Sequence, residues 1–307
     1  MSSLRVGGFE MTLRLEGRPV AEAIDRATRS SIAAVGTAAP APSLVSLHRG
    51  EDTPFQFYLK RQAKAAQALG IVFRDETLVP GDGAAELVAR VRALDRDPSV
   101  HGVLLEHPLP APFDFFRAME EVRPEKDVDG VGPRNLGRLV AQRPVQVPAV
   151  AKAAFAIARH YELPVEGEPV VVLGRSETVG LPLALLLAGR PPGGNATVTV
   201  VHSKSHDMAR SLAGARTIFS CVGRAGLLDR TVVPEGAHVV DVGLSSVSDP
   251  DRPGASRGVG DADAASLEGW AGSLTPIPGG VGPVTVAELM ASTVRSWKLL
   301  VRGEGGS

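Results

Sequence analysis

The chain has 307 residues, of which 44% are hydrophobic and 22% are charged. This composition is typical of a globular protein with one or two domains. Lys and Arg (33) nearly balance Asp and Glu (34), so there is no basic field for nucleic acid or for an anionic membrane surface. One cysteine excludes an intramolecular disulfide framework and a cysteine-rich metal site, and we therefore expect a cytoplasmic protein without a metal centre. No apolar run approaches the roughly 18 residues of a membrane span.

Short apolar segments alternate with amphipathic segments in the first half of the chain, which predicts parallel α/β structure. The predicted strands are 44–47, 70–73 and 100–105. The predicted helices are 55–69, 84–94 and 114–121. Two prolines interrupt residues 143–148, and we interpret this stretch as a link into a second domain.

The second half has the rhythm of a doubly wound nucleotide-binding sheet. Its predicted strands are 169–173, 197–202, 217–222 and 238–242, and its predicted helices are 181–187 and 207–212. Residues 245–258 are rich in Ser, Pro, Asp and Gly, so we expect an exposed loop there. Residues 284–301 have helical periodicity.

A candidate phosphate-binding turn lies between the first strand and helix of this second half. It reads Gly174-Arg-Ser-Glu-Thr-Val-Gly180 and would place free backbone N–H groups at a helix N-terminus. It is not a G-x-G-x-x-G motif. Glycine spacing alone therefore leaves nucleotide binding and an ordinary strand–helix turn equally open.

The end of the next strand indicates which nucleotide such a turn would take. A sheet that binds NAD usually carries Asp or Glu here for the ribose hydroxyls. This chain reads His202-Ser203-Lys204-Ser205, with no acid. The Arg175 guanidinium and the Ser203 hydroxyl are instead suited to a 2′-phosphate. The alternative is that these are ordinary solvated polar groups.

Four motifs, read together, carry a resemblance to a known family. They are Tyr58-Leu-Lys-Arg-Gln62, Lys126-Asp-Val-Asp129-Gly130, Gly174-Arg175-Ser176 and Pro278-Gly-Gly-Val-Gly-Pro283. In this order and spacing, from about residue 13 to residue 298, the chain resembles the methylenetetrahydrofolate dehydrogenase/cyclohydrolase (FolD) family.

The resemblance implies a two-domain α/β fold with a cleft between the domains. Residues 1–147, completed by a terminal helix at 284–301, would form the N-terminal folate domain. Residues 148–283 would form the Rossmann-like, doubly wound NADP-binding domain. The family also implies a tetrahydrofolate-type one-carbon substrate and a homodimer.

The resemblance also implies roles for individual residues. Tyr58 would stack on the folate, Asp129 would hold the pterin ring, and the cleft would be lined by Pro278, Gly279 and Gly280. The residues implied to bind NADP are Gly174, Arg175, Ser176, Ser203, Gly223, Gly243 and Leu244. Cys221, beside Gly223, is expected to be a small buried filler rather than a nucleophile.

One position departs from the family where it matters most for catalysis. The family carries a lysine four residues after the tyrosine, and here that position is Gln62. Lys60 and Lys64 each lie two residues away, about 200° around the helix, so neither replaces it. Glu106 stands where the family has a glutamine beside that lysine. Gln62 and Glu106 thus form either altered catalytic machinery or a hydrogen-bonded pair that only satisfies burial.

Three functions remain open at this point. The first is NADP-dependent oxidation of 5,10-methylenetetrahydrofolate to the methenyl compound, with cyclohydrolase activity weak or lost. Its catalytic residues would be Tyr58, Gln62, Glu106 and Asp129. The second is a FolD-like enzyme in which Glu106 and His107 act as a new acid–base pair on another substrate. The third is a non-catalytic NADP-binding partner.

Overall fold

A computed structural model describes residues 5–6, 9–36, 39–48, 53–78, 83–109, 111–249, 252 and 256–302. The strands are β1 (Arg5–Val6), β2 (Phe9–Glu10), β3 (Leu13–Arg14), β4 (Ser43–His48), β5 (Val72–Thr77), β6 (Gly102–Leu105), β7 (Pro169–Leu173), β8 (Thr197–Val201), β9 (Thr217–Ser220), β10 (His238–Asp241), β11 (Ser245–Ser248), β12 (Ser256–Val259) and β13 (Ser273–Leu274). The helices are α1 (Gly17–Ala33), α2 (Thr53–Leu69), α3 (Ala84–Arg96), α4 (Phe115–Met119), α5 (Pro133–Val140), α6 (Ala149–His160), α7 (Gly180–Ala188), α8 (Met208–Leu212), α9 (Ala264–Leu267) and α10 (Val281–Val301).

The chain divides into two compact units. One comprises Val150–Thr285 together with the described part of Met1–Val20, and the other comprises Ala21–Ala149 with the described part of Val286–Ser307. The sequence assigned residues 1–147 to the first domain, whereas β3 joins the sheet of the second. Strand β3 has only two residues, so local sequence pattern does not determine which sheet it joins. Its pairing with β13 does.

The unit that contains Val150–Thr285 is built on a six-stranded sheet of order β3-β13-β10-β9-β7-β8. All its pairings are parallel. The central strand β9 is buried along its whole length, as expected for a strand covered on both faces. Ile218 of β9 lies in the core with Val171 of β7 and Val239 of β10, its partners on the two neighbouring strands.

The other unit has a three-stranded parallel sheet of order β5-β4-β6. Strand β4 is fully buried between its neighbours. The terminal helix α10 contributes Met290, Val294 and Trp297 to the same apolar cluster as Leu44 of β4. The C-terminal segment therefore completes the core of the unit that begins at Ala21.

The architecture confirms the predicted two-domain α/β fold, and the main strands lie within a few residues of their predicted positions. The expectation of a loop at 245–258 was wrong. Strands β11 and β12 pair antiparallel there, with Val247 opposite Arg257. In β11, half-buried and exposed positions alternate, but its residues are mostly Ser, so this alternation does not show as an apolar–polar pattern in the sequence. Within the described residues, no helix has the length and apolar character needed to cross a membrane.

Candidate active site

The carboxyl ends of four neighbouring strands meet at one edge of the six-stranded sheet. Leu173 of β7 is in register with Val201 of β8 and with Ser220 of β9. The turn after β7 therefore lies beside the turn after β8, and Gly174 N–H donates to Val201 O at 2.9 Å. This arrangement brings the exposed side chains of Arg175 and Ser203 to the same edge.

Backbone packing at this edge depends on two glycines of the first turn. Gly174 has φ +102°, and a Cβ added there would lie 2.6 Å from Cys221 O. A Cβ at Gly180 would lie 2.4 Å from Gly174 O. The hydroxyl of Ser176 accepts the Gly180 N–H at 3.3 Å and closes the turn. Any larger residue at either glycine would displace the adjoining backbone.

A buried carboxylate that the sequence analysis missed organises the loop after β9. Asp261 accepts hydrogen bonds from Ser220 Oγ at 2.6 Å, Val222 N at 2.8 Å and Arg224 N at 2.6 Å. A Cβ at Gly243 would lie 2.2 Å from this carboxyl group. The only sequence feature at Asp261 is a Gly-Asp pair after β12. Such a pair does not indicate hydrogen-bond partners that are 41, 39 and 37 residues away in the chain.

A second carboxylate holds the loop after β10. Asp241 accepts from Gly243 N at 3.0 Å and from Ala262 N at 2.8 Å. Burial raises the pKa of Asp241 to about 6. Leu244 follows with 71% of its surface exposed, and Gly223 has φ +74°. The loops that carry Gly223, Gly243 and Leu244 are therefore held at this edge with apolar surface uncovered.

Cys221 and the 278–280 segment also lie in this unit. Burial, with the charges of Asp261 and Asp241, raises the pKa of the Cys221 thiol, so it is a poor nucleophile. Gly279 has φ +115°, and its carbonyl accepts the Gly17 N–H at 2.8 Å. Gly280 N–H donates to Pro276 O at 2.8 Å, which fixes the segment immediately before α10.

The second candidate site lies in the unit that begins at Ala21. Gln62 lies one helical turn after Tyr58 on α2 and is fully buried. Its Nε2 donates to Oε1 of Glu106 at 3.0 Å, while its own Oε1 is buried and has no hydrogen-bond partner among the described residues. Ser46 Oγ contacts the same Glu106 oxygen at 3.4 Å. The two positions that depart from the family are therefore in direct contact.

This cluster has two carboxyl groups, Glu106 and Asp129, and one imidazole, His107, and their interactions alter its titration. Burial raises the pKa of Glu106, and the Asp129 charge adds to the effect against the opposing hydrogen bond from Gln62. Burial also raises the pKa of Tyr58, again with contributions from Asp129 and Glu106. Glu106 is thus a carboxyl group that holds its proton to higher pH than a solvated one.

His107 faces Asp129. Its Nε2 lies 3.8 Å from Oδ2 of Asp129, and its ring packs edge-on against Phe115 with centroids 5.0 Å apart. Burial lowers the pKa of His107, but the interaction with Asp129 and the charge of Glu106 outweigh burial, and the net shift is upward. The protonated imidazole is therefore favoured beside these two carboxyl groups.

The turn that presents Asp129 is organised by another residue that the sequence analysis missed. Asp127 is buried and accepts from Gly130 N at 2.9 Å, Gly132 N at 2.9 Å and Asn135 Nδ2 at 2.8 Å. Burial raises its pKa to about 6 against these hydrogen bonds. Asp127 thus fixes the backbone on which Asp129 sits.

Lys126 does not supply the missing amine. It is 2% exposed, and its Nζ donates to the carbonyls of Asp95 and Asp97, both at 2.7 Å. Burial lowers its pKa to about 8. Among the described residues, the groups that shift the pKa of Tyr58 are Asp129, Glu106, Gln62 and Arg61, with no lysine.

Together, the fold and these two clusters define a class: a two-domain α/β enzyme with a Rossmann-like nucleotide-binding sheet and a second unit that carries interacting titratable groups. The chain belongs to the tetrahydrofolate dehydrogenase/cyclohydrolase family. The sequence model of the family's catalytic domain matches residues 15–129, and that of its NAD(P)-binding domain matches residues 148–301. The resemblance inferred from the four motifs is confirmed.

Relatives and solved structures agree with this assignment. The bifunctional protein FolD of Nitratidesulfovibrio vulgaris is 37% identical over 286 residues, which is 93% of this chain and 98% of the relative. The methylenetetrahydrofolate dehydrogenase of Bombyx mori superposes with a TM-score of 0.87 at 30% identity, over 95% of this chain and 100% of that one. The Trypanosoma brucei dehydrogenase-cyclohydrolase, complexed with NADP and an inhibitor, gives 0.87 at 33% identity, over 95% and 99%.

Proposed function

We propose that this protein is an NADP-dependent 5,10-methylenetetrahydrofolate dehydrogenase with weak or no cyclohydrolase activity. One observation carries the proposal: the position of the family's lysine is occupied by a buried amide, Gln62, that donates to Glu106 at 3.0 Å. An amide neither takes up nor releases a proton near neutral pH. The site therefore lacks the ammonium group that would manage proton transfer when water adds to the methenyl cation.

The choice of NADP rests on the groups at the sheet edge. Arg175 and Ser203 are both exposed in the turns that follow the paired strands β7 and β8, and residues 202–206 include no carboxylate. A guanidinium and a hydroxyl suit a 2′-phosphate, and the Trypanosoma brucei relative binds NADP. We assign Gly174, Ser176, Gly223, Gly243 and Leu244 to the same site.

The oxidation requires positioning and charge stabilisation from the chain. NADP+, when bound, supplies the hydride acceptor. Tyr58 and Asp129 orient the folate, while Pro278, Gly279 and Gly280 allow close approach to a flat ligand. The negative charge of Asp129, with that of Glu106 when ionised, favours the methenyl cation as it forms.

The proposal is tested by separating the two products. The protein is incubated with 5,10-methylenetetrahydrofolate and NADP+, and NADPH, methenyl and formyl products are followed independently. We expect NADPH and methenyl product to form together, with formyl product lagging by about 10²–10⁴-fold, the usual effect of losing an acid–base group. Formyl product formed as fast as NADPH would contradict the loss of cyclohydrolase activity.

A second candidate function is favoured by the contact between His107 and Asp129. Together with the neighbouring Glu106, His107 provides an acid–base pair for another substrate in a specialised pathway. Thermal shift with a panel of reduced folates separates the two candidates. Stabilisation by methylenetetrahydrofolate supports the dehydrogenase, and stabilisation by none of the folates supports the new substrate. NADP(H) binding without any turnover would instead indicate a non-catalytic partner.

We also propose a cytoplasmic homodimer. On α7, Leu181 and Leu185 keep 41% and 38% of their surface exposed, and β8 beside it is the edge strand of its sheet. This edge is unpaired within the described residues, and such an edge next to exposed leucines is suited to burial by a second copy. A monomer mass by sedimentation equilibrium, unchanged over a hundredfold concentration range, would exclude the dimer.

A further inference from the structure

The amide of Gln62 leaves one acceptor unsatisfied at the folate site. Its Nε2 donates to Glu106, while its Oε1 is buried and finds no hydrogen-bond partner in the part of the chain that the structure describes. An orphaned buried acceptor destabilises the folded protein, and a ligand that brings a donor would remove this cost. The group that belongs beside this carbonyl is therefore an N–H or O–H donor.

The charges around the amide indicate which donor. Asp129 and Glu106 are acids, and the positive charge that acts on Glu106 comes from His107. The family's lysine would add an ammonium group at this place, and its absence leaves the acceptors in excess. A cationic N–H group on the ligand supplies both the missing charge and the missing donor.

We infer that the cluster of Gln62, Glu106 and Asp129 accepts a reduced folate whose one-carbon unit is a formimidoyl group, N5–CH=NH2+, and releases its nitrogen as ammonia. Gln62 Oε1 accepts an N–H of the amidinium, and Glu106 is the acid for the leaving nitrogen. The inference rests on the proposed folate chemistry and adds a second route to the same methenyl product.

The reaction balances without an oxidant. N10 attacks the formimidoyl carbon, a bond from N10 to carbon forms, and the C=N π electrons move to the exocyclic nitrogen. N10 loses its proton to solvent, and the Glu106 carboxyl donates its proton to the exocyclic nitrogen. The bond from carbon to that nitrogen then breaks, ammonia leaves with the electron pair, and the N5 lone pair completes the methenyl cation. Glu106 regains a proton from solvent, and carbon keeps its oxidation level.

The properties of Glu106 fit this role. A carboxyl group with a raised pKa retains a proton to donate at higher pH than a solvated one. Ser46 and Gln62 both contact its Oε1, which leaves Oε2 without a described hydrogen-bond donor from these two residues. Glu106 is thus held through one of its two carboxyl oxygens, Oε1.

The test uses the full chain and synthetic 5-formimidoyltetrahydrofolate without NADP+. Ammonia and methenyl absorbance are measured against a blank without enzyme. We expect equimolar products, with the rate lowered about 10²–10⁴-fold in Glu106→Gln and about tenfold in Gln62→Leu. Gln67→Leu, an exposed glutamine on the same helix, is the matched control and should behave as wild type.

Parallel assays with methylenetetrahydrofolate and NADP+ separate the outcomes. NADPH formation without enzyme-dependent ammonia release overturns this inference and leaves the dehydrogenase proposal standing. Ammonia release that neither variant lowers overturns the assignment to Gln62 and Glu106. Ammonia release without NADPH formation supports the inference while contradicting the dehydrogenase proposal. Circular dichroism of each variant shows that a lost rate does not reflect unfolding.

Discussion

Gln62 Nε2 donates a hydrogen bond to Glu106 Oε1 at 3.0 Å, across 44 residues of sequence. Each residue differs from its counterpart in the family, and the contact shows that the two changes meet. Where the family has a lysine beside a glutamine, this chain has Gln62 beside Glu106. The pair in this chain is hydrogen-bonded, and it lacks the ammonium group of the family's lysine.

Reversing both changes should restore the second reaction of the family. In Gln62→Lys with Glu106→Gln, we expect formation of formyltetrahydrofolate from methenyltetrahydrofolate to rise about 10²–10⁴-fold, because the acid–base group returns beside Tyr58. The measurement is the loss of methenyl absorbance. Gln67→Lys adds the same charge on the exposed face of α2 and should change nothing. An inactive double variant with a native spectrum would show that other positions hold the difference.

Arg175 and Ser203 should decide between NADP+ and NAD+. Removing the guanidinium in Arg175→Ala deletes at least one charge-assisted hydrogen bond worth about 1.5–3 kcal/mol, so KM for NADP+ should rise at least roughly 10- to 150-fold. Ser203→Ala should have a smaller effect in the same direction. The KM for NAD+ should stay near its original value, and Arg138→Ala, an exposed arginine of α5, serves as control. An equal rise in KM for NADP+ and NAD+ would show that Arg175 does not contact the 2′-phosphate.

Asp261 should be a major stabilising residue of the nucleotide-binding unit. Asp261→Ala leaves three donors without their acceptor, namely Ser220 Oγ and the N–H groups of Val222 and Arg224. At about 1 kcal/mol or more each, the free energy of unfolding should fall by at least roughly 3 kcal/mol in urea denaturation. Asp263→Ala removes an exposed helix cap and should cost only about 1 kcal/mol. An equal decrease in the free energy of unfolding in the two variants would argue against a stabilising role for the Asp261 hydrogen bonds.

Glu106 should make stability depend on pH with a definite sign. Its folded pKa lies above the unfolded value of 4.5, so its contribution is fully present below pH 4.5 and is lost as the pH rises through the folded pKa. Glu106→Gln keeps the shape without ionising. Its free energy of unfolding relative to wild type should therefore increase as the pH rises from 4.5 through the folded pKa of Glu106 and then level off.

Urea denaturation at several pH values measures this difference, because titrations of groups that do not interact with Glu106 cancel between the two proteins. Glu235→Gln, an exposed position, controls for general effects of losing a carboxylate. A difference that stays constant between pH 4 and pH 8 would mean that burial does not perturb Glu106.

Local pattern was sufficient for much of this molecule. Strand positions followed from apolar runs such as 169–173, because a strand buried on both faces must be apolar throughout. The vacancy at the lysine position also followed from sequence, since helical geometry alone excludes Lys60 and Lys64. The hairpin at 245–259 was missed because its Ser- and Gly-rich composition is typical of loops, and only cross-strand pairing made it a ribbon.

The sequence by itself determined the α/β class, the ends of the nucleotide-sheet strands and the absence of an amine one turn after Tyr58, because each depends on residues close together in the chain. Tertiary structure alone decided that Gln62 reaches Glu106, that Asp261 holds the loop after β9, and that β3 joins the second sheet. These contacts join segments 39 or more residues apart. Their geometry is set by how helices and strands pack, which no local periodicity records.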